Sequence, residues 1–131
     1  MSSPQSILIV EDHPATRTAV TALLRQAFPQ SQVLSADCAE AAFAICELTV
    51  PALVIMDIGL PGMNGVEATR RIKQQFGATR VVMLTHSDMD VFRHGAVAAG
   101  ASAFVSKQQV HAQLIDVLHS LLPDTPAGRP A

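Results

Sequence analysis

The chain has no tryptophan and no tyrosine, and only five phenylalanines among 131 residues. A platform that stacks nucleic-acid bases needs exposed rings, so this scarcity argues against one. Charge of one sign is also missing. The formal net charge is -2, without the concentrated basic patch of a DNA or membrane binder. The one local cluster, Arg70, Arg71 and Lys73, reads as a solvated helix face. Cys38 and Cys46 are the only cysteines. Eight positions apart on one expected helix, they are separated by about 12 Å of rise, too far for a disulfide. Unpaired thiols fit a reducing compartment. No Cys/His spacing of metal type occurs. No apolar run approaches the roughly 18 residues of a membrane span, and Met1 to Ser6 lacks the features of a signal peptide. The cytoplasm is the expected location.

What is present is a chain of one-domain length with an ordinary apolar share, 49%. Short apolar runs alternate with stretches of helical period. Ile7–Val10, Val33–Ala36, Ala52–Met56, Val81–Leu84 and Ala103–Ser106 read as strands. The first helix is expected from Ala15 to Phe28, with Pro14 in its first turn. Asp37 is expected to cap the second in a capping box with Glu40, and Ala41, Ile45 and Leu48 to form its inner stripe. Asn64 should cap the third, with Val66, Thr69, Ile72 and Phe76 inward. A glycine-containing fourth helix should run from Asp88 to Ala99. The fifth should run from Val110 to Leu122, with Leu114, Val117, Leu118 and Leu121 inward.

This alternation predicts an α/β fold, a flavodoxin-like (βα)5 doubly wound parallel sheet. The first, third and fourth runs are continuously apolar, as buried strands should be, which favours strand order 2-1-3-4-5. Residues 1–122 form the expected domain, and the proline-rich 123–131 reads as a flexible tail or linker stub.

Four of the strands lead into polar groups: Glu11-Asp12, Asp57, Thr85 and Lys107. A parallel sheet brings all of them to one edge, where such sheets bind ligands. Taken singly, each is ordinary, an Asp or Thr at a turn or a Lys in solvent. Together they form a chemical set. Asp12 and Asp57 could hold Mg2+, with Glu11 acting directly or through water. A carboxylate can also accept a phosphoryl group. Lys107, Thr85 and backbone N–H groups could then meet the charge on the phosphoryl oxygens. His13, His94, His111 and His119 read as surface or boundary residues, and Met63 and Met89 as packing or surface residues near the site.

These elements resemble the receiver domains of two-component response regulators over about Ser6 to Leu122. The resemblance rests on Glu11-Asp12, on Met56-Asp57-Ile58-Gly59-Leu60-Pro61-Gly62-Met63-Asn64-Gly65, on Thr85, and on Lys107 after Gly100-Ala101-Ser102-Ala103-Phe104. It implies that Asp57 accepts phosphate from a sensor histidine kinase. It implies Mg2+ held by Asp12, Asp57 and the backbone carbonyl of Gly59, with Glu11 assisting. Thr85 and Lys107 would contact the phosphoryl group. Thr85 and Phe104 would turn inward and change the face formed by the fourth helix, fifth strand and fifth helix. Such a domain is a regulatory switch with at most slow self-dephosphorylation, not a turnover enzyme.

Gln108 stands where many receivers have a cis-proline, so none is expected. His86 follows Thr85 where many have a small residue, and its bulk is expected to slow small phosphate donors. Glu11-Asp12-His13-Pro14 is most similar to receivers of LuxR-type transcription regulators. That similarity admits a homodimer, and a C-terminal DNA-binding domain that this chain does not contain. The chain reads as a stand-alone receiver or one cut at its linker, without nucleic-acid or membrane contact of its own. Three rivals fit less well. A Mg2+-dependent phosphatase would need an acid where Gly59 stands. A flavodoxin-like cofactor binder would need a phosphate loop in place of Glu11-Asp12-His13-Pro14. A phosphorylation-independent pseudo-receiver would not need the complete acid set.

Overall fold

Five parallel strands form one sheet in the order β2-β1-β3-β4-β5 in the computed structural model, which describes residues 5–85, 95 and 97–122. The strands are β1 (Ser6–Val10), β2 (Gln32–Ala36), β3 (Leu53–Asp57), β4 (Arg80–Thr85) and β5 (Ala103–Ser106). The helices are α1 (Pro14–Ala27), α2 (Ala39–Leu48), α3 (Gly65–Gln75) and a C-terminal helix (Ile115–Leu121). Gly95 and residues 97–99 are also helical. The rest of the expected fourth helix lies outside the described residues, as do His86, Met89, His94 and the tail 123–131.

Side chains alternate across a strand, so each apolar run feeds two cores. Ile7, Ile9, Leu53, Ile55, Val82, Leu84 and Val105 pack under α1 and the C-terminal segment, against Val20, Leu24, Val110, Leu114 and Leu118. Leu8, Val10, Val54, Met56, Val81 and Met83 face the other way, against Ala39, Ala42 and Cys46 of α2 and Ala68 and Ile72 of α3. That two-sided burial is why β1, β3 and most of β4 carry no polar alternation. At the edge, β2 leaves Gln32 and Ser35 exposed.

The second helix differs from expectation. Its N-cap is Cys38, with extended backbone and no side-chain cap bond, so Asp37 does not cap it. Its buried face is Ala39, Ala42 and Cys46, while Ala41 and Ile45 only flank the core and Leu48 is 87% exposed. Small residues win the inward positions because the sheet beneath is already filled by Leu8, Val10, Val54 and Met56. Both cysteines are free, and burial pushes the Cys46 thiol pKa up.

The fifth helix also differs. A 3-10 turn (Lys107–Gln109) and a π-helical turn (Val110–Leu114) precede the regular helix. Its inward residues Val110, Leu114 and Leu118 recur every fourth position, longer than the 3.6-residue period. A wide turn absorbs that drift. Asn64 caps α3 as expected, its side chain accepting the Glu67 N–H. The basic cluster on α3 is spent locally. Arg70 and Arg71 pair with Glu67, and Lys73 donates to the carbonyls of Gly77 and Thr79 beyond the helix end.

Candidate functional site: an acidic cluster closed by one lysine

Register brings the polar strand ends together. Val10 lies beside Met56, so Glu11 and Asp57 occupy neighbouring positions at the carboxyl edge. Asp57 lies beside Leu84, and Thr85 beside Ser106, which leads into Lys107. Glu11 is fully buried and Asp57 is 2% exposed. The ammonium of Lys107, only 10% exposed, lies 2.9 Å from Glu11 Oε1 and donates to Asp57 Oδ2 at 3.1 Å. One cation thus ties the ends of β1, β3 and β5. Thr85 is half-buried on the strand between β3 and β5.

The remaining oxygens are held from nearby. Asp57 Oδ1 accepts the N–H of Gly59 at 3.0 Å, a local turn bond two residues on. Glu11 Oε2 accepts the backbone N–H of His13 at 3.1 Å and lies 3.1 Å from its ring Nδ1. Arg17 donates to the Glu11 carbonyl at 2.8 Å. Burial alone would raise the Glu11 pKa. Lys107, the His13 N–H, Asp57 and the His13 ring outweigh burial, so the carboxyl lies below its ordinary value. Burial likewise works to lower the Lys107 pKa, but Glu11 and Asp57 carry it above the usual range.

A close approach sets the loop after β3. A Cβ on Gly65 would stand 2.2 Å from the Asp57 carbonyl oxygen and 2.9 Å from Ile58 Cα. Only glycine lets α3 begin this near the acidic residue. The Gly65 N–H donates to the Ile58 carbonyl at 3.0 Å, closing the turn.

One ligand atom from each of Glu11, Asp12, His13 and Asp57 lies within 4.8 Å of the others. Among the described residues, Asp12 Oδ1 is shielded from solvent and has no hydrogen-bond partner. A carboxylate oxygen in that condition fits a divalent cation, and oxygen donors are what Mg2+ prefers. The structure therefore joins Glu11, Asp12, Asp57 and Lys107 and places Thr85 on the same edge. It brings Gly59 in through its N–H. Phe104 is half-buried on β5 in register with Met83, packed on the α2–α3 side. His13 is exposed, as expected of a surface residue, but its ring Nδ1 and its N–H both lie against Glu11 Oε2, a contact that sequence reasoning did not anticipate. Its position directly after the acidic pair was the available signal.

The chain is similar to known proteins over nearly its whole length. The family model for the response regulator receiver domain matches residues 7–119. The transcriptional activator protein ExaE of Pseudomonas putida is 34% identical over 117 residues, covering 88% of this chain and 54% of that protein. The response regulator GacA of Pseudomonas aeruginosa is 33% identical over 101 residues, covering 77% and 47%. The chain thus spans about half the length of the curated relatives it matches. A solved LuxR-family two-component response regulator from Aurantimonas sp. SI85-9A1 superposes with a TM-score of 0.83 at 36% identity, covering 98% of this chain and 89% of that one. No helix among the described residues is long and apolar enough to cross a membrane.

Proposed function

The chain belongs to the family of response regulator receiver domains of two-component signalling, and from that premise we propose that it is a phosphorylation-controlled switch with Asp57 as phospho-acceptor. The observation that carries this reading is the buried Asp57 carboxylate, held by the same Lys107 ammonium that contacts Glu11. An Asp57 oxygen attacks the phosphorus of a phosphohistidine on a sensor kinase. The P–N bond breaks, its electron pair returns to the imidazole, and that ring takes up a proton as it leaves. Lys107 follows the incoming phosphoryl oxygens, and the Thr85 hydroxyl and nearby backbone N–H groups meet the others.

Asp12, Asp57 and the Gly59 carbonyl would hold Mg2+, with Glu11 assisting. When bound, that ion supplies positive charge against which the phosphoryl oxygens can approach three carboxylates. Inward movement of Thr85 and Phe104 then alters the face built from the fourth expected helix, β5 and the C-terminal helix. This is a two-state element biased by a local charge change. Self-dephosphorylation is slow. Residues 1–122 are the receiver and 123–131 a tail or linker. In the whole protein, the switched face would control an output domain or partner, with a homodimer and a C-terminal DNA-binding domain of LuxR type as candidates, in the cytoplasm.

The test is intact mass after incubation with Mg2+ and acetyl phosphate, beside Asp57→Asn. The expected result is the gain of one phosphoryl group in the parent and none in the variant. Equal gain in both would reject Asp57 as acceptor. No gain with acetyl phosphate or with a panel of phosphorylated histidine kinases would reject the switch.

A further inference from the structure

We infer that His13 is a nitrogen donor of the cation site, so that the cluster accepts borderline divalent ions such as Zn2+ or Ni2+ more readily than an all-oxygen set would. This rests on the reading of Glu11, Asp12 and Asp57 as that site. His13 is held in place by its backbone. It is the N-cap of α1, with φ -84° and ψ 116°, and Pro14 follows it in the first helical turn. Its N–H is tied to Glu11 Oε2 at 3.1 Å. The backbone therefore fixes where the ring emerges.

The ring presents Nδ1 to the acids, 3.1 Å from Glu11 Oε2 and 3.4 Å from Asp12 Oδ1. Asp12 Oδ1 is the shielded oxygen that has no hydrogen-bond partner among the described residues. Metal bonds of about 2.0–2.2 Å place opposite ligand atoms up to about 4.4 Å apart on a six-coordinate ion, and ligand atoms on a tetrahedral ion about 3.3–3.6 Å apart. The four donor atoms lie within 4.8 Å of one another. Their widest pair must therefore close by roughly half an ångström for a six-coordinate ion and by more than about 1 Å for a tetrahedral one. Nδ1 is the ring nitrogen that faces Glu11 and Asp12, so the neutral tautomer with its proton on Nε2 presents a lone pair to the ion.

The chemistry is discriminating. Imidazole suits Zn2+ and Ni2+, whereas Mg2+ selects oxygen and keeps its waters. A histidine that only positioned Glu11 would affect all cations alike. A histidine that ligates affects Zn2+ and Ni2+ selectively.

The experiment uses the full chain with Mn2+ as probe, bound ion being followed by electron paramagnetic resonance. Mn2+ is displaced by Mg2+, by Ni2+, or by Zn2+ held at set free concentration with a chelator. Parent, His13→Ala and His13→Asn are compared, with thermal melts to verify folding. The expected result is a drop on the order of tenfold in the Zn2+-to-Mg2+ affinity ratio in both variants, with Mg2+ displacement little changed. An unchanged ratio would overturn the inference, whether both affinities fall together or neither falls, and would leave the Mg2+ site standing. Mn2+ that fails to bind the parent, or binds equally well in Asp12→Ala, would overturn the cation site and this inference with it.

Discussion

Replacing Lys107 by Met removes the one ammonium that joins Glu11 and Asp57. Its contacts are short, 2.9 Å and 3.1 Å, and both acids are buried. At an effective dielectric constant near 20, each contact is worth about 5–6 kcal/mol of Coulomb energy before desolvation is charged against it. Burying the three groups costs several kcal/mol each, so the intact triad is close to neutral for stability. Truncation is not neutral, because it leaves the desolvation in place and removes the compensation. The expected loss is roughly 3–5 kcal/mol. For a domain of this length that is a fall of about 11–18 °C in melting temperature.

The pH dependence carries the sign. The Glu11 pKa is lowered by folding, so its contribution is complete above its ordinary value near 4.5 and is lost as pH falls through the lower folded value. The Lys107 pKa is raised, so its contribution is complete below about 10.5 and is lost as pH rises through the higher folded value. The parent should therefore hold a plateau between these limits. Lys107→Met should behave oppositely on the acid side, gaining stability as pH falls from 7 to 5, because burial then acts on Glu11 without its strongest opposing partner. Urea denaturation in EDTA at both pH values measures this. Adding Glu11→Gln to Lys107→Met should recover part of the loss by removing one stranded charge. A loss below about 1 kcal/mol at pH 7 would put the pair in the range of a solvent-screened surface contact and refute the reasoning. So would a double variant no more stable than the single one.

Other outcomes are expected from the same geometry. Asp57→Asn should raise the melting temperature in EDTA, because it removes one of three crowded acids, and should shrink the stabilisation by Mg2+. In the parent, Mg2+ at ten times its Kd should add about 1.4 kcal/mol, seen as a rise in melting temperature that Asp12→Ala abolishes. Gly65→Ala forces a Cβ against Asp57 and Ile58 backbone that cannot yield, so a loss of roughly 2–4 kcal/mol by urea midpoint is expected, with slower phosphorylation. Asn64→Ala removes only the α3 cap and should cost about 1 kcal/mol in the same assay while leaving phosphorylation intact.

Strand order and the carboxyl-edge placement of Glu11, Asp12, Asp57, Thr85 and Lys107 were legible because they depend on period and topology, which apolar runs reveal directly. The α3 cap was legible because Asn64 acts within three residues of itself. The inner face of α2 was not. Its stripe depends on how much room the opposing sheet leaves, and that excluded the larger Ile45 and Leu48 in favour of Ala39, Ala42 and Cys46. The π turn at Val110–Leu114 was hidden for a related reason, since a spacing of four residues fits a helical stripe until it is repeated. His13 is at the surface as expected, but its contact with the acids was not legible because exposure is a property of the whole side chain. It is 59% exposed, yet the ring nitrogen that matters faces Glu11 and Asp12.

In the proposed switch, stability and response would be coupled through one contact. Both Asp57 oxygens are engaged, Oδ1 by the Gly59 N–H and Oδ2 by Lys107. The Gly59 bond is local and can persist while its oxygen keeps a second lone pair. The Lys107 bond bridges residues 50 apart in sequence and holds β5 to the centre of the sheet's carboxyl edge. On the proposed reading, a phosphoryl group arriving on Asp57 would compete for that ammonium, and Glu11 Oε1, now 2.9 Å from it, would be left with a weakened partner. The side chain that joins the two buried acids in the resting site would thus also be one that shifts. Lys107 also opens the 3-10 turn that leads through the wide turn to the C-terminal helix. On the proposed reading, a change at Asp57 would also reach the C-terminal helix through this irregularly wound segment, beside the movement of Thr85 and Phe104. The alternative is a route through Phe104 alone, packed on the opposite side of the sheet. Hydrogen exchange of residues 107–114 in the parent and in Lys107→Met separates the two. Faster exchange in the variant that stays confined to this segment supports the Lys107 route, and unchanged exchange there assigns the response to Phe104.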